Sequence, residues 1–251
     1  MSKMTDRIST SQQAEIARAE YEKQQRSTLP SIIVPLASAG KIYPKDHVLS
    51  EGKIEMRYMT AYDEDILTNI SYIREGVMID KLIQSISLTK FNVADLSSYD
   101  KDSLLIYIRI LSYGAEYDVT VTDPETGKEL QRTVNLDKLK AKPFLLAADD
   151  RGEFEYKTST DTLKFKYNVT DIADKSPSEF SKLVITQVNE SRTSDTIDQY
   201  IRYKFMAKDS RNFRKYYVDN APGLDMNVEF EGESGGTFTA RFPIGTDFFW
   251  I

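Results

Sequence analysis

The chain has 251 residues, enough to bury a core without covalent staples as one large domain or two small ones. It holds no cysteine, which removes disulfides, thiol nucleophiles and cysteine–zinc sites, and its one histidine, His47, cannot build a multi-histidine metal centre. A net charge of −6 argues against non-specific nucleic-acid binding as the main role, and the lack of a signal-type apolar stretch or of about 20 consecutive apolar residues predicts a soluble intracellular protein.

Residues 1–28 are polar and rich in Gln, Glu, Lys and Arg, with helix formers but no continuous apolar stripe. They read as a mobile arm, helical or disordered, that folds on a partner. Residues 31–36 form an apolar extended segment bounded by prolines. His47 follows in a Pro-Lys-Asp-His loop and is expected to be solvated. Residues 53–59 alternate, with Ile54, Met56 and Tyr58 on one face of a strand. Thr60 is placed to cap a helix whose first turn carries Asp63, Glu64 and Asp65 and whose apolar face is Ile66, Leu67 and Ile70. Residues 77–87 and 101–112 are further helices, the second with a stripe of Leu104, Leu105, Ile108 and Leu111 and a stop at Gly114.

From Glu116 the period changes to two, and Asp123-Pro-Glu-Thr-Gly127 is a turn between strands 117–122 and 129–136. Residues 154–157 and 162–169 read as short strands, while 178–190 fit either helix or strand. Residues 197–206 are amphipathic, and Asp209 and Ser210 are placed to cap a short helix over 211–217. A second hairpin pairs 226–231 with 237–242 across a glycine-rich tip, and the aromatic tail Phe248-Phe249-Trp250 follows. So much aromatic surface must dock, either on its own domain or on a partner.

Catalytic constellations are weak. The acids at 63–65 and 149–150 fit a dipole-favoured helix start and a solvated loop, and the glycines at 232–236 lack the lysine and helix of a phosphate loop. Arg202, Lys204, Lys208, Arg211, Arg214 and Lys215, interleaved with Tyr203, Phe205, Phe213 and Tyr216, make a basic aromatic patch. It suits either an acidic protein partner or nucleic-acid phosphates.

Several segments, taken in order, resemble the T4-like bacteriophage family of baseplate hub subunits and hub assembly proteins. They are Pro35-Leu-Ala-Ser-Ala-Gly-Lys-Ile-Tyr-Pro44, Ile54-Glu-Met-Arg-Tyr-Met-Thr-Ala-Tyr-Asp-Glu-Asp-Ile-Leu67, Ile79-Asp-Lys-Leu-Ile83, residues 104–113 with Gly114 and Tyr117, and the closing Phe-Phe-Trp. The resemblance implies a non-enzymatic tail protein without cofactor or metal. It would promote assembly of the baseplate central hub, or form part of it, through contacts with other hub and tail proteins, in the host cytoplasm during assembly or in the tail baseplate itself. Some relatives carry Cys-x-x-Cys knuckles at the hairpin tips, a ribbon-like zinc site. Here those tips have no thiol, so turn chemistry alone is expected to shape them.

The expected fold class is α+β, a helical block with zinc-ribbon-like hairpins that lack cysteines. Its segments are the arm 1–28, a helical core with the first hairpin at 29–142, a variable insertion at 143–190 that resembles the family least, and a helix pair, hairpin and tail at 191–251. The candidate partner-binding residues are Phe248, Phe249, Trp250, Arg211, Arg214 and Tyr43. A small acid-dependent enzyme using Asp63, Glu64 and Asp65, and a nucleic-acid-binding module using residues 202–215, are the alternatives.

Overall fold

Proline shapes the first strand, β1 (Ser31–Pro35), which pairs antiparallel with β2 (Lys53–Arg57) and sets Val34 opposite Ile54. A computed structural model describes residues 29–167, 172, 174–241 and 246–249. The polar arm at 1–28, Trp250, and the expected strand ends at Val169 and Phe242 lie outside the described residues. In the loop after β1, His47 is a structural cap rather than a solvated side chain. Its Nδ1 accepts from the Leu49 amide at 3.2 Å, and its ring stacks on Tyr43 at 5.8 Å.

Thr60 and Asp63 form a reciprocal capping box that starts α1 (Ala61–Thr68). Asn69 then leaves the helical region, and its side chain accepts from the amides of Ser71 and Tyr72 to start α2 (Ile70–Glu75). That break turns Ile70 outward, away from the face it was expected to share with Leu67. In α3 (Met78–Ile86) the three- and four-residue steps bury Leu82, Ile83 and Ile86. Ser97 caps α4 (Ser98–Tyr113), which buries Leu104, Leu105 and Ile108 and stops at Gly114.

The first hairpin joins β3 (Glu116–Thr122) to β4 (Glu129–Asn135), with Val119, Val121 and Val134 turned inward. A three-stranded antiparallel sheet follows, in the order β5 (Glu153–Lys157), β6 (Thr162–Lys166), β7 (Ile185–Val188). The stretch that fitted helix or strand is both. Ser176, Pro177 and Glu179 start α5 (Pro177–Val184), and the chain then passes directly into β7. Next come α6 (Ser194–Tyr203) and α7 (Ala207–Asp219). Helix α7 begins ahead of the expected cap at Asp209, because that carboxylate is engaged elsewhere, accepting from Ser159 Oγ at 2.7 Å. The second hairpin is β8 (Asn227–Glu231) and β9 (Thr237–Arg241).

The segment expected to be an insertion contributes directly to the core. Phe154, Phe165 and Tyr167 are buried with Phe213 and Tyr217 of α7 in edge-to-face and tilted ring contacts, and the Tyr167 hydroxyl donates to the Tyr217 carbonyl at 2.9 Å. It also grips the N-terminal loop, where Lys41 Nζ donates to the Phe144 carbonyl and the Lys45 amide to the Asp150 carbonyl. Gly152 approaches that loop with φ +72, and a Cβ there would lie 2.7 Å from the Ile42 carbonyl oxygen.

Candidate functional site

Helices α6 and α7 meet at a corner whose two faces differ sharply. The inner face buries Ile197 and Tyr200 from α6 and Phe213 and Tyr217 from α7, while Tyr156 packs on both Phe213 and Tyr216. The outer face carries Arg202, Tyr203, Lys204, Met206, Lys208 and Arg211, all exposed. Tyr203 is 72% exposed and Met206 65%, so large apolar side chains stand uncovered among cations. The Arg202 guanidinium lies 5.9 Å from the Tyr203 ring centre, which keeps both side chains at the surface. Lys208 and Arg211 have no ion pair among the described residues. Arg214, one turn on, instead donates to Ser210 Oγ at 2.8 Å and is half-buried. Exposed aromatic, methionine and arginine side chains in one patch make up the composition that protein interfaces favour.

The tail lies in another place. A single turn at Thr246–Phe249 carries Phe248 and Phe249 into the interior, where Phe248 meets Tyr117 edge-to-face at 5.0 Å. Arg109 of α4 sits beneath them, buried, its guanidinium 5.2 Å from the Tyr113 ring, 5.4 Å from Tyr117 and 6.0 Å from Phe248. Among the described residues its Nε and Nη1 find no hydrogen-bond acceptor, and the three ring faces contribute cation–π stabilisation.

A family model described as T4 bacteriophage base plate protein matches residues 40–250. The chain belongs to that family. Neither a curated protein nor a solved structure matches it. The family match runs from the N-terminal loop through the three-stranded sheet to the tail, and baseplate proteins work among other phage tail proteins.

In this baseplate protein Tyr43 is an interior residue. It is 3% exposed, and its hydroxyl donates to Asp100 Oδ2 at 2.7 Å. Asp100 also accepts from the Ser38 amide, Ser38 Oγ and Ser97 Oγ, so four donors hold a buried carboxylate at the start of α4. Among the described residues no hydrogen bond or ring contact joins Tyr43, the tail phenylalanines and Arg211 into one site. Trp250 lies outside the described residues.

The acid clusters split up. Asp63 is fully buried, with both carboxylate oxygens on the Arg57 guanidinium at 2.6 and 2.8 Å, and it accepts further from Ser85 and Thr60. Burial pushes its carboxyl up, and the hydrogen bonds from Arg57, Ser85 and Thr60 outweigh that and hold it at about 2. Glu64 instead accepts from the Tyr113 hydroxyl, and Asp65 is exposed. Asp149 pairs with Lys164 and Asp150 with Lys45. Among the described residues no group of three or more His, Asp or Glu is placed to hold a metal ion, and no helix is long and apolar enough to cross a membrane.

Sequence reasoning missed the clasp between the hairpin tips. Asp123 Oδ1 accepts from the Glu125 and Thr126 amides of its own turn, and Oδ2 accepts from the Glu233 amide of the other tip at 2.9 Å. The hydrogen bond from Glu233, followed by those of its own turn, holds the Asp123 carboxyl below the usual carboxylate range. The Asp-Pro pair signals the first half of this arrangement; nothing local to it signals the second.

Proposed function

We propose that the chain is a non-enzymatic protein that promotes assembly of the baseplate central hub, or forms part of it, and that it binds its hub partner through the outer face of the α6–α7 corner. One observation carries this reading: Tyr203 and Met206 are uncovered beside Arg202, Lys208 and Arg211, whose charges are not spent on ion pairs within the described chain. The partner that fits is a protein surface with an apolar centre and acidic rim. The chain's own net charge of −6 disfavours a nucleic-acid target.

The test is capture of hub proteins from infected cells by the full chain tagged at its N-terminus. Charge reversal at Lys208 and Arg211 is expected to reduce capture by roughly tenfold or more, as loss of central interface residues does. A chain lacking residues 242–251 is measured beside it to separate the corner from the tail. Undiminished capture by the folded charge-reversal variant would refute the corner. Mass spectrometry of purified particles separates the two roles: a chain absent from the virion is an assembly factor, and one present at fixed stoichiometry is a subunit.

A further inference from the structure

The hairpins β3–β4 and β8–β9 lie side by side without merging into one sheet. Asp123 clasps their tips, and from within β4 Arg132 donates through Nε and Nη2 to the Glu231 carbonyl at 3.1 and 2.7 Å. At the other end the Asp225 amide donates to the Lys140 carbonyl and the Lys142 amide to the Gly223 carbonyl, both at 2.8 Å, with a bridge between Ala141 and Leu224. Between these ties the chains part. The result is a slot of about 480 Å³ lined by Thr133, Asn135, Lys138, Lys140, Asn227 and Glu229, among others.

Main-chain parity shows what the slot presents. In an antiparallel pair, residues alternate between those bonded to the partner strand and those facing away from it. The Leu136 amide bonds to Ala115 and the Asp123 amide to Lys128, so Val134, Arg132 and Leu130 are the residues of β4 bonded to β3. The N–H and C=O groups of Gln131, Thr133 and Asn135 therefore face outward. The Gly232 amide bonds to Gly236, which by the same count turns Asn227, Glu229 and Glu231 away from β9. Thr133 and Asn135 of the one outward set and Asn227 and Glu229 of the other line the slot. Asp225 Oδ1 occupies the Asn227 amide. The main-chain groups of Thr133 and Glu229 keep no partner among the described residues.

We propose that this slot receives an extended segment of a partner baseplate protein as an added strand. Its main chain bonds to Thr133 on β4 and Glu229 on β8, and an acidic side chain lies beside Lys138 and Lys140. Arg132 takes the Gln131 and Glu231 carbonyls, so the unused N–H and C=O groups are those of Thr133 and Glu229 at the middle of the slot; an extended chain satisfies such groups, and β-augmentation works this way. The stretch of β4 that lines the slot, Thr133 to Asn135, suits about three residues at roughly 3.3 Å each. An inserted strand needs both of its edges free. Every strand described in this chain is already paired on at least one side, so a folded second copy cannot supply one from these strands. Only the identity of the partner rests on the hub reading; the slot itself does not.

Amide deuterium exchange on the full chain tests this, with overlapping synthetic peptides tiling the phage's baseplate proteins as the probe. One peptide is expected to slow exchange at Thr133 and Glu229 by about tenfold when present at about ten times its Kd. Val134 and Val228, already paired, should not change. N-methylation of alternate peptide residues should abolish the protection. If no peptide protects these amides, or if N-methylation has no effect, the proposal is overturned. Protection that rises with the concentration of the chain alone would overturn it in favour of a second copy. Protection that persists in the Lys208 and Arg211 charge-reversal variant supports the slot as a site separate from the corner, even if that variant still captures hub proteins.

Discussion

Asp63 shows how much one side chain depends on residues outside its own helix. From its neighbours it is a first-turn acid, and the capping box with Thr60 agrees. Its main partner, though, is Arg57 on the preceding strand, and the pair is shut away from water with Ser85 as a third member. Removing one charge of a buried pair strands the other, so Asp63→Asn should cost about 3–5 kcal/mol in urea denaturation. The pH dependence has a definite sign. The folded carboxyl titrates at about 2, below its ordinary value of 3.8, so its contribution is present above about pH 4 and is lost as pH falls toward 2. That loss is on the order of 2 kcal/mol, and the Asp63→Asn variant should lack it when the two denaturation midpoints are followed through this range. Asp100 and Asp123 teach the same lesson. Their neighbours announce a helix start and a turn, but their further donors come from Ser38 and Tyr43 in one case and Glu233 in the other.

At the scale of elements, the hairpins and helices α3 and α4 follow from periodicity and punctuation, because each is decided by contacts within a few residues. The misses have local physical causes as well. Asn69 splits one expected helix into two, and a capped helix runs straight into a β-branched strand at Ile185. How elements meet is less legible. Gly152 is an example, because its importance lies in the loop at Ile42 and Tyr43 pressed against it. Gly152→Ala combines a left-handed backbone with a close approach to main-chain atoms and should destabilise by about 1–3 kcal/mol, measured by thermal or urea unfolding. An unchanged midpoint would mean that the loop yields without cost.

For the whole molecule, the boundary expected at 143–190 meets a core that runs through it. Phe154, Phe165 and Tyr167 fill the space beneath α7, and Phe165 touches Phe213, Tyr216 and Tyr217. Phe165→Ala should therefore cost about 3–5 kcal/mol. A chain lacking residues 143–190 should lose cooperative unfolding and near-ultraviolet dichroism together, because the rings of α7 would be left without partners. A cooperative transition in that deletion variant would show the segment to be separable.

The sequence by itself determined the α+β class, the two flanking hairpins, the strongest helices, the basic aromatic character of residues 202–215 and the resemblance to baseplate proteins. These follow from composition and from spacings of two to four residues. Only the tertiary structure decided that Tyr43 is interior, that Phe248 is covered by Tyr117 above Arg109, that Arg211 is exposed while Arg214 is tied to Ser210, and that the two hairpins face each other across a slot. The physical reason is range. Burial and pairing are settled by residues far apart in the chain, such as Asp123 and Glu233 at a separation of 110 positions, and no local pattern encodes them.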